Sequence, residues 1–415
     1  MTKGCGYFSR TAFILGTLLA LVFVIGAVKS VKLTREAQGR SGPGSYYDLK
    51  VVIPTGKILP VLEVKKRWYK VTYSQMDVWI SENSILAEKT SPSSGLEPVA
   101  MGDTDIKASP AAISAAIKGF WTRFTRTADR SKLAELPQEG YAVPPSSVES
   151  FEAERAGQTD REALLKKYPV DKPHKPGRVP FVKEQSIGYA IASAVAEGGL
   201  VPEGKAATYV VSVGNYIASG TERDDIPFKF YIRDTGRVNA VSCPGGYIIL
   251  TRGLLELIRD ESELAALLAH EMAHVIAGHG TKAAIDDNIR IKADDAFAEL
   301  DEEVGNDPAE LEELIGITNR AMSIATSPKL DEYEFEADRM ALNYLARSGY
   351  DLKAQERLLQ SMKTKHEDAI DMFDLNYRNH PDFTKRLALS EKEMKRYRNY
   401  RGGTFGEYFR SHMTF

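Results

Sequence analysis

The chain has 415 residues, enough for two or three domains, and its hydrophobic fraction of 43% and charged fraction of 27% are ordinary for a folded soluble protein. Its 54 lysines and arginines nearly balance 57 aspartates and glutamates, so the charge gives no argument for nucleic acid or an anionic surface as a partner. Cys5 and Cys243 are its only cysteines, so the sequence implies no disulfide framework.

Residues Thr11 to Val28 form an apolar run with lysine and arginine on both sides. The run is longer than the usual core of a signal peptide and near the lower limit for a membrane-spanning helix. We therefore interpret residues 1–30 as an uncleaved membrane anchor, with a cleaved signal sequence as the alternative. The flanking charges are balanced and do not set an orientation.

Residues 31–88 show short β-branched and aromatic runs separated by turn signals, which predict a small all-β barrel. This region resembles a bacterial SH3-type domain in the segments Arg40-Ser41-Gly42-Pro43-Gly44, Lys66-Arg67-Trp68-Tyr69-Lys70-Val71 and Val78-Trp79-Ile80. The resemblance implies binding of cell-wall material or peptides. It also favours export of the part of the protein that follows the N-terminal segment. Alternatively, Trp68 and Trp79 only fill the core of the barrel.

Residues 89–181 read as a linker with one helical segment. Thr90 to Lys107 is rich in Ser, Gly and Pro, and Ser109-Pro110 is a typical helix start. The helix that follows has an apolar face made by Ile113, Ile117, Phe120 and Phe124. Gln138 to Pro180 combines prolines with many charges, which predicts a poorly ordered or loosely packed connection.

We expect a catalytic domain over residues 182–395 and a C-terminal tail over 396–415. Its predicted elements are helices at Gln185 to Ala196 and Thr208 to Ala218 (the second open to a strand reading), and strands at Phe228 to Ile232 and Tyr247 to Leu250. The predicted fold class is therefore α+β, a mainly helical domain with a small antiparallel sheet, preceded by the small β-barrel and the N-terminal hydrophobic helix.

The sequence His270-Glu271-Met272-Ala273-His274 lies in a predicted buried helix. Asp260 followed by Glu263 is a capping box, and Gly278 marks the stop. Histidines four apart share one helix side, so both imidazoles can bind one zinc ion while Glu271 takes a proton from a zinc-bound water. The alternative is a helix with two core histidines.

A catalytic zinc needs a third protein ligand. His279 points away from His274 on a continuing helix, so we reject it as a ligand and predict a role at the helix end. Glu334 can complete the site, with Asp338, four residues later, hydrogen-bonding a ligand histidine. From the residues alone, an exposed acidic face is equally compatible at Glu334; for Glu332 and Glu336 it is our prediction.

The chain resembles metallopeptidase family forty-eight, the gluzincins that include the CAAX prenyl protease and a heat-shock membrane protease. The motifs that carry the resemblance are Asn239-Ala240, Pro244-Gly245-Gly246-Tyr247, Thr251-Arg252-Gly253-Leu254-Leu255, Glu261 through His274 with His279, Glu334-Phe335-Glu336-Ala337-Asp338-Arg339, Gly349-Tyr350-Asp351, and His380-Pro381 with Arg386. They span Glu184 to Leu389.

The resemblance implies one zinc ion per chain, held by His270, His274 and Glu334, with Asp338 behind a ligand. It also implies that the strand at Asn239 and Ala240 pairs with an extended substrate. His380 would stabilise the oxyanion or cap the zinc at rest, unless it is a surface residue. Arg386 has a role in the site or forms a structural ion pair. Ser242-Cys243 departs from the family pattern, which usually has larger or apolar residues there, so Cys243 lies near the substrate or in the core.

These features predict a zinc-dependent endopeptidase that acts on exported or envelope proteins, anchored in the inner membrane or released to the periplasm. The alternative is a wall-associated binding or chaperone module with a latent or structural metal site. A cell-wall hydrolase is a third possibility. The acidic segment Asp286 to Glu313 is a solvated helix face or a lid over the cleft.

Overall fold

The computed structural model describes residues 30–85, 136–137, 140–170, 173–174, 181–196, 198–279, 331–374 and 382–414. Five predictions lie outside these residues: the N-terminal hydrophobic segment, the linker at 90–107, the helix after Ser109-Pro110, the acidic segment at 286–313, and His380. Among the helices of the described ranges, none combines the length and the apolar character that a membrane span needs.

The N-terminal domain is an antiparallel β-structure, as its alternating sequence predicts. Its strands are β1 (Ser30–Lys32), β2 (Ala37–Arg40), β3 (Leu49–Ile53), β4 (Ile58–Lys65), β5 (Trp68–Tyr73) and β6 (Met76–Ser81). They pair in the order β1-β4-β5-β6-β2-β3. The apolar core includes Leu33, Ile53, Val71 and Ile80. The small all-β domain is thus confirmed, while its SH3-type assignment stays a prediction.

Trp68 and Trp79 are buried but lie outside the apolar core of the β-domain, so they do not fill the barrel. Successive side chains of a strand point to opposite faces of the sheet, so Trp68 and Trp79 lie on the face opposite to Val71 and Ile80. Ser81 shares the face of the tryptophans, and its hydroxyl lies 3.4 Å from the Asp224 carboxylate. This face therefore turns toward the C-terminal domain.

The β-domain docks on the loop at 221–225 through polar contacts. Arg67 donates to the carbonyl oxygens of Thr221 and Glu222 at 3.0 and 2.9 Å. Asn83 donates to the same Glu222 carbonyl at 3.1 Å and also to the Asp225 carboxylate. Because these donors hold backbone oxygens, the docking fixes the path of the loop itself.

The C-terminal domain is mainly helical. Its helices are α1 (Pro145–Ala156), α2 (Arg161–Lys167), α3 (Phe181–Val195), α4 (Lys205–Ala218), α5 (Arg252–Leu255), α6 (Glu261–Ala277), α7 (Asp331–Ser348), α8 (Lys353–Asp368), α9 (Phe383–Met394) and α10 (Gly406–His412). Helix α6 is buried over nearly its whole length and packs against α4, α7 and α8. The segment at α4, for which a strand remained open, is a helix.

A three-stranded sheet packs beside α6. Its strands are β7 (Lys229–Arg233), β8 (Ala240–Cys243) and β9 (Tyr247–Thr251), in the order β7-β9-β8. The turn at Pro244–Gly246, whose Gly245 and Gly246 have φ of 72° and 91°, makes β8 and β9 an antiparallel hairpin. Strand β9 lies between the other two and pairs with β7 in parallel, so the predicted antiparallel sheet is mixed.

The prediction of a loosely packed connection is wrong for the described residues 140–170. Phe151 and Tyr168 lie in the main apolar core. The Arg155 guanidinium is buried, donates to the Glu261 carboxylate of α6 at 2.7 Å, and lies 4.5 Å from the centre of the Phe151 ring. The charges of this segment therefore include a long-range buried pair, which local composition does not reveal.

The predicted tail also packs on the domain. Phe409 of α10 lies in the main core, and the backbone nitrogen of Ser262 donates to the Thr404 carbonyl. The folded unit thus includes residues on both sides of the 182–395 range expected for it.

Candidate metal centre

Helix α6 begins and ends where its sequence predicts. The Asp260 side chain accepts a hydrogen bond from the Glu263 backbone nitrogen at 3.0 Å, and Gly278 closes the helix with φ of 68°. His270 and His274 lie one turn apart on the same side. Their rings are 4.7 Å apart between centroids, and their Nε2 atoms are 3.1 Å apart.

Glu334 of α7 reaches the same point from the facing helix. Its Oε2 lies 3.3 Å from His270 Nε2, and its Oε1 lies 3.2 Å from His274 Nε2. The carboxyl group has 0% exposure. The structure therefore brings together the three residues that were proposed as metal ligands, from two helices far apart in the chain.

The donor set fits zinc. Tetrahedral zinc with bonds of about 2.0–2.1 Å to nitrogen and oxygen places its ligands about 3.3 Å apart. The two Nε2 atoms are 3.1 Å apart, and each lies 3.2–3.3 Å from one of the two Glu334 carboxylate oxygens, which is close to that spacing. Two imidazoles and one carboxylate also match the ligands of catalytic zinc sites, which leave a fourth position open. Burial lowers the pKa of His270, but the charge of Glu334 and hydrogen bonds to Asp338 and Glu334 raise it to about 9. The site thus favours positive charge.

On the His270 side, the far nitrogen of the ring meets a carboxylate. His270 Nδ1 lies 3.0 Å from Asp338 Oδ1. Arg386 of α9 donates to both oxygens of Asp338, at 2.7 and 2.8 Å, and its Nη1 lies 3.1 Å from Glu334. Burial raises the pKa of Asp338, but the charges and hydrogen bonds of Arg386 and His270 together hold the pKa below its ordinary value. Arg386 is therefore an ion-pair partner inside the site.

On the His274 side, the far nitrogen meets another imidazole. His274 Nδ1 lies 2.8 Å from His279 Nδ1, and His279 Nε2 lies 3.0 Å from Glu336 Oε2. The His279 ring also stacks on Tyr333 with 4.3 Å between centroids. The prediction that His279 points away from His274 is therefore wrong. Glu336, predicted to lie on an exposed acidic face, is 31% exposed and contacts His279.

The reason for this error lies at Gly278. The predicted direction of His279 assumes that the helix continues past His274, whereas the left-handed conformation at Gly278 ends the helix and redirects the chain. The sequence already predicts this end at Gly278, so helical geometry does not give the direction of His279. His174, which no sequence signal singled out, lies 3.6 Å from the other oxygen of Glu336.

Strand β8 lies at the edge of the sheet, against α6. The backbone of Asn239 turns inward, because its nitrogen donates to Thr251 Oγ1 at 2.9 Å and its oxygen accepts from the Thr251 nitrogen at 3.1 Å. Among the described residues, no strand pairs with the outer edge of β8. Of the two positions predicted for Cys243, the structure shows the core one.

The comparison with protein families finds that the sequence model of peptidase family M48 matches residues 205–394. The beta-barrel assembly-enhancing proteases of Yersinia pestis and Escherichia coli (strain K12) are each 28% identical, over 158 and 159 residues, or 37% of this chain and 32% of the relative. Mitochondrial metalloendopeptidase OMA1 of Schizosaccharomyces pombe is 32% identical over 74 residues, 18% of this chain and 22% of the relative.

These alignments span about a third or less of the relatives' length. They agree with the family match, which includes α6 with both histidines and α7 with Glu334. Residues 205–394, which include both histidines and Glu334, are therefore similar to the peptidase domain of family M48.

Proposed function

We propose that this protein is a zinc-dependent endopeptidase that hydrolyses peptide bonds of exported or envelope proteins. The observation that carries the proposal is the convergence of His270, His274 and Glu334 on one point, with Glu271 next to the first ligand on the same helix. The family match supports peptide hydrolysis as the reaction.

The roles of the residues follow from this arrangement. A zinc ion held by the two histidines and Glu334 would polarise the peptide carbonyl and make a water molecule more acidic. Glu271 is 1% exposed and lies in the same helical turn as His270. It takes the proton of the attacking water and passes it to the leaving amine.

The substrate binds in an extended conformation along the outer edge of β8. In an antiparallel pair, successive residues turn their backbone groups to opposite sides. Since Asn239 bonds to Thr251 inside the sheet, Ala240 and Ser242 present theirs to the outer edge. Asn239 itself supports the strand through a 2.9 Å hydrogen bond to Asp374. Recognition through the backbone gives broad sequence specificity.

An envelope location is supported by the apolar run at residues 11–28 and by the names of the bacterial relatives. In this proposal the N-terminal segment anchors the protein in the inner membrane or is cleaved as a signal. The docked β-domain, as an SH3-type module, binds peptides or cell-wall material. His380 remains the candidate for stabilising the oxyanion or capping the zinc.

The test compares the wild type with Glu271→Gln on casein and on a misfolded envelope protein. We expect the variant to keep its zinc and to lose about 10²- to 10⁴-fold in cleavage rate, the usual contribution of a general base. Glu332→Gln, at an exposed position on α7, is the matched control and should cleave normally. Equal behaviour of wild type and Glu271→Gln would instead support the binding or chaperone module, and release of wall fragments would indicate a cell-wall hydrolase.

A further inference from the structure

The ring of His274 is backed by a second imidazole and then by a carboxylate. We propose that Glu336, acting through His279, positions His274 for metal binding, so that both residues are positioning residues of the site. This inference rests on the proposed function, because it requires that His274 binds the metal.

The proton positions follow from the geometry. An imidazole that binds a metal through Nε2 carries its proton on Nδ1, so His274 donates through Nδ1 to His279. The 2.8 Å distance between the two Nδ1 atoms fits one such hydrogen bond. His279 must then accept at Nδ1 and carry its own proton on Nε2, which faces Glu336 at 3.0 Å. One carboxylate thus sets the tautomers of two rings.

The surroundings hold His279 in this orientation. Its ring is 3% exposed and lies parallel to the Tyr333 ring, with an interplanar angle of 8°. Tyr333, Glu334 and Glu336 all belong to α7. The helix that supplies the carboxylate ligand therefore also supplies both groups that fix His279, and it couples the two sides of the metal centre.

Beyond Glu336, His174 lies between this carboxylate and the loop at 221–225. Glu336 faces His174, whose Nδ1 and backbone nitrogen each lie 3.2 Å from Glu222 Oε1. Tyr344 donates to the other oxygen of Glu222 at 2.9 Å. Glu336 thus lies between two imidazoles, each held in place from another direction.

The experiment measures the zinc affinity of the full-length protein by competition with a chelator. Groups that hold a ligand histidine are typically worth about 10- to 100-fold in metal affinity. We expect Glu336→Gln to weaken zinc binding about tenfold and His279→Ala by more than that. The thermal midpoint of metal-free Glu336→Gln should match that of metal-free wild type. The Glu336 side chain is 31% exposed, and ion pairs at the surface contribute little to stability. Glu332→Gln is the control for a charge change on the same helix.

A double-mutant cycle separates positioning from a general structural effect. If Glu336 acts only through His279, then Glu336→Gln has no further effect in the His279→Ala background. The absorption spectrum of the Co²⁺-loaded protein should also shift in both single variants, since it reports ligand orientation. Should His279→Ala fail to fold, Glu336→Gln alone still tests the inference.

Wild-type zinc affinity in Glu336→Gln would overturn the inference, and so would additive losses in the double variant. These results leave the proposed function standing if the wild type binds zinc. A wild type that binds no zinc overturns the proposed function first, so the two failures are distinguishable.

Discussion

The two histidines of the candidate metal centre are supported in different ways. His270 meets the Asp338 carboxylate directly, and Asp338 is buried with Arg386 on both of its oxygens. His274 meets a carboxylate only through His279, and that carboxylate, Glu336, has a side chain that is 31% exposed. The two sides meet the same chemical need, an acceptor for the ring proton. They differ in their contribution to the stability of the fold, because, of the two, only the His270 side contains a buried ion pair.

We expect the largest effect from a substitution on the buried side of the site, next to His270. Asp338→Ala leaves the Arg386 guanidinium without its main partner, so we expect a loss of about 3–5 kcal/mol in the free energy of unfolding. Glu336→Ala removes a half-exposed carboxylate and should cost less than about 1 kcal/mol. Denaturant unfolding of the metal-free proteins measures both. Equal losses would mean that the two sides do not differ as described.

Metal removal is the next test, because a metal that binds only the folded state stabilises it. At a zinc concentration of about 100 times Kd, this stabilisation is about 2.7 kcal/mol. We expect chelator to lower the thermal midpoint of the wild type and of the Glu332→Gln control. His270→Ala should show no such shift, and an equal shift in that variant would show that the stabilising metal binds elsewhere.

Arg386→Lys should have a smaller effect, since the charge stays while the geometry changes. An ammonium group cannot bond both oxygens of Asp338 and also reach Glu334 as the guanidinium does. We expect a loss of about 1–2 kcal/mol in unfolding free energy, between the values for Asp338→Ala and Glu336→Ala. A Lys variant as stable as the wild type would show that charge alone, without the fork geometry, suffices.

We expect the smallest effect on zinc affinity from His174, which lies beyond Glu336 on the His274 side of the site. His174 lies 3.6 Å from Glu336, too far for a hydrogen bond. His174→Ala should therefore change zinc affinity by less than about threefold, well below the usual effect of a group bonded to a ligand. A loss as large as that of His279→Ala would extend the positioning chain to the loop on which the β-domain docks.

The sequence predicts those parts of the site that depend on local geometry. The caps at Asp260 and Gly278 define the ends of α6, and the four-residue spacing places both histidines on one side of it. A carboxylate on a second helix completes the three candidate ligands. Glu334 and Glu336, however, are both acidic residues on one helix. Only the way in which α7 lies across α6 decides that one faces the metal site and the other His279.

Long-range pairing is what the sequence does not reveal. Arg155 and Glu261 are far apart in the chain, so the charge of α1 looked like that of a loose connection. The order of the three-stranded sheet is also a property of the whole fold, because nothing in β7 alone indicates that its neighbour is β9. Both were missed for the same reason, that their partners are distant in sequence.

The central claim is that two helices bring three side chains onto one metal ion. Its most direct test is the zinc content of the purified wild type beside His270→Ala and Glu334→Ala. We expect about one zinc per chain in the wild type and a strong loss in both variants, since a catalytic zinc site needs its three protein ligands. A Glu334→Ala variant that still holds one zinc per chain would contradict the account.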